Sequence, residues 1–115
     1  MSTIVLWDET TAGARTGAGE LAVEEDRLPL REVIRRRVFE EVARFERESL
    51  GASPKSGPRH TSDPEEQYAA AVKAFARNGF VVLVGDRQIE DLDELLDLRT
   101  DTEIVFLKLV ALVGG

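Results

Sequence analysis

The chain has 115 residues, of which 43% are hydrophobic and 32% charged, a size and composition typical of one globular domain. It contains no cysteine and one histidine, which excludes disulfides, histidine-rich metal sites and a cysteine nucleophile in this chain. Its formal net charge of −7 argues against nucleic acid as a partner, because phosphate binding needs a basic surface. No apolar run is long enough to span a membrane and the N-terminus lacks signal-peptide features, so we expect a cytoplasmic protein with no membrane contact.

The first half of the chain predicts a hairpin followed by a long helix. Residues 3–8 (TIVLWD) are rich in β-branched and aromatic side chains, and residues 20–24 (ELAVE) alternate between apolar and polar, so both segments predict strands. The glycine-rich stretch between them predicts a long connecting loop. A helix over about residues 29–48 is indicated by apolar residues at helical spacing, namely Leu30, Val33, Ile34, Val38, Val42 and Phe45.

The second half predicts a loop, a second helix and two further strands. Glycine, proline and serine dominate residues 49–62, which indicates a loop. Asp63-Pro64 is typical of a helix start, and Asn78-Gly79 of a helix end, with Gly79 suited to a left-handed cap. Residues 80–84 and 103–110 predict strands, and the acidic segment 88–98 between them predicts a turn-like or partly helical connection.

The predicted order of elements places the chain in the α+β class. A hairpin crossed by one helix and followed by two strands of the same mixed sheet is a β-grasp arrangement, here with an extra helix inserted before the third strand. The right-handed crossover rule places the last strand parallel to the first at the sheet centre. We therefore expect a β-grasp domain over residues 1–110, with an insert at residues 49–79, and a flexible diglycine tail over residues 111–115.

The last third of the sequence resembles ubiquitin. In residues 81–115 an apolar strand ends in a glycine-containing turn, and Gln88-Ile89-Glu90-Asp91 follows. A leucine-bearing excursion, a final apolar strand, a short tail and Gly114-Gly115 complete the same order of features. The chain is similar to the small ubiquitin-like modifiers of bacterial conjugation operons, and the sulfur carriers of thiamin and molybdopterin synthesis share the fold and the diglycine.

The resemblance implies that the chain is a protein modifier and not an enzyme. A partner activating enzyme would use ATP to adenylate the Gly115 carboxylate, and a thioester on that enzyme or on a conjugating enzyme would pass the chain to target proteins. A deconjugating peptidase would reverse the attachment. The chain needs no cofactor of its own. Its tail carries Ala111, Leu112 and Val113 where ubiquitin has arginines, so the activating enzyme should recognise the tail through an apolar groove.

Two other functions stay open at this point. In a sulfur carrier the same carboxylate becomes a thiocarboxylate, and in a non-conjugated β-grasp adaptor the diglycine has no chemical role. The tail alone does not separate a modifier from a sulfur carrier, because both need adenylation of a carboxylate. The roughly 30-residue insert and the ubiquitin-like last third favour the modifier.

The phase of the last strand decides which residues could form a partner surface. An alignment with ubiquitin that is counted back from the diglycine without gaps predicts that Lys108 faces the core. Lysine is rarely buried without a partner. We therefore predict a register shifted by one residue, with Val105, Leu107 and Leu109 facing the helix. The apolar partner patch is then predicted on the outer face, at Val82, Val84, Phe106 and Val110, unless the second helix covers these residues as core.

Overall fold

Two helices pack on a five-stranded mixed sheet in the computed structural model, which describes residues 2–50, 63–99 and 102–108. The elements in chain order are β1 (Ser2–Thr10), β2 (Arg15–Val23), β3 (Arg27–Pro29), α1 (Leu30–Leu50), α2 (Pro64–Ala76), β4 (Phe80–Val84), β5 (Arg87–Ile89), β6 (Leu95–Asp97) and β7 (Glu103–Lys108). The predicted α+β class is confirmed. Most of the predicted loop at residues 49–62 and the whole tail at residues 111–115 lie outside the described residues.

The five strands of the main sheet follow the order β2-β1-β7-β4-β5. β1 pairs antiparallel with β2 and parallel with β7, and β7 pairs antiparallel with β4. The predicted parallel pairing of the first and last strands at the sheet centre is therefore confirmed. The short strands β3 and β6 form a separate antiparallel pair, which the sequence did not predict because three residues are too few to show a period.

The hairpin turn is shorter than predicted. β1 and β2 are joined by residues 11–14 alone, and Gly13 adopts a φ of 98° in this turn. The prediction of a long loop was wrong because two of its glycines, Gly17 and Gly19, belong to the strand β2. Gly17 lies opposite Trp7, where a Cβ would contact the indole at 3.8 Å. Gly19, with a φ of 108°, lies at a register shift that resembles a bulge.

The core lies between the helices and one face of the sheet. Ile4 of β1, Val82 of β4 and Ile104 of β7 are fully buried there, together with Leu30 and Val33 of α1. These side chains belong to one contiguous apolar cluster, and burial of such side chains is the main favourable contribution to folding. Of the described helices, neither has the length and apolar character needed to cross a membrane.

The second helix packs on the same face as the first. Its start is fixed by Asp63, whose side chain accepts a hydrogen bond from the Glu65 backbone N–H at 2.9 Å. Phe75 of α2 contacts Phe80 with 5.8 Å between ring centroids. At the helix end it is Asn78, with a φ of 61°, that takes the left-handed conformation predicted for Gly79. A Cβ at Gly79 would lie 3.2 Å from the Ala74 carbonyl oxygen, which is tighter than most side-chain contacts.

A bidentate ion pair joins α1 to the segment before β3 and makes stability depend on pH. Arg36 donates to both carboxylate oxygens of Glu25 at 3.0 and 2.8 Å. The hydrogen bond from Arg36 is the largest cause that lowers the pKa of Glu25 from 4.5 to about 2. A lowered pKa in the folded state contributes stability above the usual value, and this contribution is lost as the pH falls from 4.5 toward 2.

We therefore expect Glu25→Gln to be less stable than the wild type at about pH 6, with the difference shrinking toward pH 2. Urea denaturation midpoints of both proteins at the two pH values measure this. Glu24→Gln is the matched control, because Glu24 is exposed and the substitution changes the net charge equally. A difference between wild type and Glu25→Gln that is the same at both pH values would contradict the expectation.

Candidate functional site

The described residues of the predicted partner patch lie on the face of the sheet that the helices cover, and not on the outer face. Phe106 is 7% exposed and packs below α1, with the Arg37 guanidinium 4.5 Å from its ring centroid. Val82, its neighbour on β4, is fully buried, and Val84 packs against the same core. The shifted register was wrong: these three residues pack in the core on the side of the sheet that carries both helices, and not on an outer face covered by the second helix alone. Val110, the fourth, lies outside the described residues.

The shifted register was predicted to avoid the cost of burying Lys108, but the structure shows no such cost because Lys108 is exposed. Lys108 lies on the helix side of β7, two residues after Phe106, but it is the last described residue of that strand and it is exposed. Its ammonium group therefore reaches solvent, while the strand keeps the phase of the alignment without gaps. The side chains of Val105 and Leu107 consequently face away from the helices.

An apolar surface of different residues lies on the face of the sheet opposite the helices. We call it the outer patch, and it consists of Trp7, Val81, Leu83, Val105 and Leu107. Trp7 and Leu83 flank Val105 in register on the two neighbouring strands, and Val81 lies opposite Leu107. In the described part of the chain none of the five belongs to the core cluster, and four of them are partly exposed. Contiguous exposed apolar patches are candidate binding surfaces, so this face is the candidate functional surface of the described sheet.

Trp7 has an unusual environment within the outer patch. The guanidinium of Arg15 lies 5.0 Å from the indole centroid and also contacts Glu9 at 3.5 Å. The indole Nε1 is shielded from solvent and has no hydrogen-bond acceptor among the described residues. A buried donor without a partner is costly and calls for an explanation. Trp7 is half-buried on the outer face of the sheet.

The chain leaves the centre of the sheet beside the β1–β2 turn. The backbone N–H of Thr11 donates to the Lys108 carbonyl at 3.2 Å, which fixes the point of exit. The predicted conjugation residues Gly114 and Gly115 and the predicted recognition residues Ala111, Leu112 and Val113 lie outside the described residues. Seven residues follow Lys108, and a fully extended segment of that length spans at most about 24 Å.

The same end of the domain contains a cavity of about 310 Å³ between the two helices and the sheet. The guanidinium of Arg37 lies at its side, where it donates to Asp8 at 2.7 Å and to Glu41 at 3.0 Å. Sequence reasoning missed this cavity, because the positions of α1, α2 and the end of β7 have to be known together. Arg37 lines the cavity, but the sequence does not distinguish it from its neighbours in the run Arg35-Arg36-Arg37.

Comparison with known proteins gives no match: no protein-family model matches the chain, and none of the curated proteins or solved structures compared with it matches either. A function for this chain is therefore argued from its own residues and geometry.

Proposed function

We propose that the chain is a ubiquitin-like β-grasp modifier that is joined to target proteins through the carboxylate of Gly115. The strand order β2-β1-β7-β4-β5 supports this proposal. It has a hairpin, a crossing helix and a final strand inserted at the centre, parallel to the first. The diglycine motif follows that central strand by five residues, at the place the β-grasp modifiers and sulfur carriers use for their reactive tail.

The proposed chemistry needs partners because a free carboxylate is a poor electrophile. Its pKa of about 3.5 keeps it ionised at neutral pH. In an activating enzyme a Gly115 oxygen attacks the α-phosphorus of ATP and displaces pyrophosphate. A cysteine thiolate of the partner then displaces AMP to form a thioester, and a target amine displaces the thiol to form an amide. Gly114 and Gly115 lack side chains and so allow the tail to enter a narrow channel.

The outer patch is the surface that we assign to the activating or conjugating partner. It replaces the predicted set of Val82, Val84, Phe106 and Val110, of which the described members are occupied by the helices. β7 contributes Val105 and Leu107 to the outer patch and leads directly into the tail. A partner that binds this face therefore also receives the chain segment that carries Gly115.

The proposal is tested by purifying N-terminally tagged protein from the native host, expressed as the host encodes it so that any processing at Gly115 takes place. Wild type is compared with a variant lacking Gly114 and Gly115 by denaturing gel and intact mass. We expect higher-mass adducts in the wild type and none in the deletion variant. A Gly114→Ala/Gly115→Ala variant is the control that keeps the tail length and the carboxylate.

Two results would overturn the proposal. A single wild-type species shifted by one oxygen-to-sulfur exchange would identify a sulfur carrier. An unmodified mass in both samples, under conditions in which the protein is expressed, would exclude the modifier and the sulfur carrier and leave the non-conjugated adaptor as the remaining function.

A further inference from the structure

The cavity at the end of the sheet has the character of a site for an apolar chain segment. Its floor is formed by Phe106 and Phe80, and its walls by Ile34 and Val38 of α1 and by Ala71 of α2. At about 310 Å³ it is roughly twice the size of a cavity that holds benzene, which leaves room for about two leucine-sized side chains.

The rim of the cavity carries both signs of charge, namely Asp8, Glu9, Glu41, Arg37 and Lys108. Arg37 is paired with both Asp8 and Glu41, at 2.7 and 3.0 Å between nitrogen and oxygen. The aliphatic part of Lys108 lines the mouth, while this residue is exposed to solvent. A charged ligand would have to break the Arg37 pairs, whereas an uncharged apolar segment would leave them intact.

The sequence that follows Lys108 matches this cavity. Residues 109–113 read LVALV, five consecutive apolar residues. A solvent-exposed run of this length is unfavourable unless it is functional. The segment begins at the residue that lines the cavity mouth, so its local concentration there is in the millimolar range that short tethers produce. The alternation that puts Phe106 and Lys108 on the helix side selects Val110 and Leu112 as the residues of the same phase.

We propose that residues 109–113 continue from β7 in an extended conformation along the helix side and insert Val110 and Leu112 into the cavity between α1, α2 and the sheet. In this resting state the tail is held on its own domain, and Gly114-Gly115 is withheld from an activating enzyme until that partner displaces the apolar segment. The consequence for activation rests on the proposed function, whereas the docking is a property of the isolated chain.

The absence of cysteine from the chain allows a direct test by engineered disulfides on the full-length protein. One variant carries Val110→Cys with Ala71→Cys, which lies in the cavity wall. The matched control carries Val110→Cys with Val81→Cys, which lies on the outer face opposite Leu107. Because a disulfide needs the two Cβ atoms about 4 Å apart, mild oxidation of dilute protein should form the intramolecular bond with Ala71→Cys roughly tenfold faster than with Val81→Cys.

A third variant distinguishes apolar docking from chance encounters. Adding Leu112→Asp to the Val110→Cys/Ala71→Cys protein should slow disulfide formation severalfold, because the carboxylate opposes entry into the apolar cavity. Equal rates for the two cysteine pairs, a faster reaction with Val81→Cys, or disulfides only between two molecules would each overturn the proposal. The experiment contains no partner enzyme or target, so its outcome is independent of whether adducts form in the host.

Discussion

Phe106→Ala is expected to lower the free energy of unfolding by about 3–5 kcal/mol, the range for large-to-small changes in a protein core. Phe106 lies in the central strand of the sheet and is 7% exposed. Its ring lies 6.0 Å from that of Phe80 and below the guanidinium of Arg37. Removing it takes away both contacts and joins the space of the ring to the neighbouring cavity. The surrounding side chains then collapse only partly, because Arg37 stays paired with Asp8.

Leu107→Ala is the matched control in the next residue of the same strand. Leu107 faces away from the helices and is partly exposed, so its truncation should cost about 1 kcal/mol. Both variants are measured by urea denaturation, followed by the emission of Trp7, the single tryptophan of the chain. A larger loss for Leu107→Ala than for Phe106→Ala would contradict the observed phase of β7 and restore the shifted register.

Much of the topology could be predicted from the sequence because several local signals agree. The strand at residues 80–84, the helix beginning near residue 30 and the helix start at Asp63-Pro64 were all predicted, and the structure places them there. Each has a physical signal of its own: a β-branched run, apolar residues at helical spacing, and a capping side chain next to a proline. The parallel pairing of the first and last strands then followed from connection rules.

The orientation of β7 could not be predicted from its own sequence. The run IVFL is apolar at every position, so it has no alternation to show which residues face the helices. The phase is set by neighbours, since Phe106 lies beside Val82 and below Arg37. The prediction used Lys108 to settle the phase, but the position of that residue at the end of the strand leaves it exposed. The location of the candidate partner surface depended on this phase, so the error carried over to it.

Glycines misled the prediction of the hairpin for a related reason. A glycine-rich stretch normally indicates a loop, but Gly17 and Gly19 lie within the strand β2. Gly19, with a φ of 108°, stands next to the register shift between β1 and β2. The position of that shift depends on the pairing of the two strands, which a local pattern does not contain.

Leu83→Gln is expected to reduce the yield of adducts in the host by about tenfold or more. Leu83 is partly exposed and lies in the outer patch beside Val105, which is the middle residue of the row Trp7, Val105 and Leu83. The residues that contribute more than about 1 kcal/mol to binding cluster near the centre of an interface, and a loss of about 1.4 kcal/mol corresponds to a tenfold change in affinity. The yield is measured by denaturing gel at matched expression, beside the wild type and the variant lacking the diglycine.

Leu95→Gln provides the matched control, because Leu95 is 59% exposed but lies on β6, outside the main sheet. The same chemical change there should leave the adducts near the wild-type level. Thermal unfolding of both variants shows whether a loss of adducts comes from a loss of folded protein. Equal adduct yields for Leu83→Gln and Leu95→Gln, with both proteins folded, would remove the outer patch from the proposed recognition by a partner, while the role of Gly115 would still be decided by the diglycine deletion.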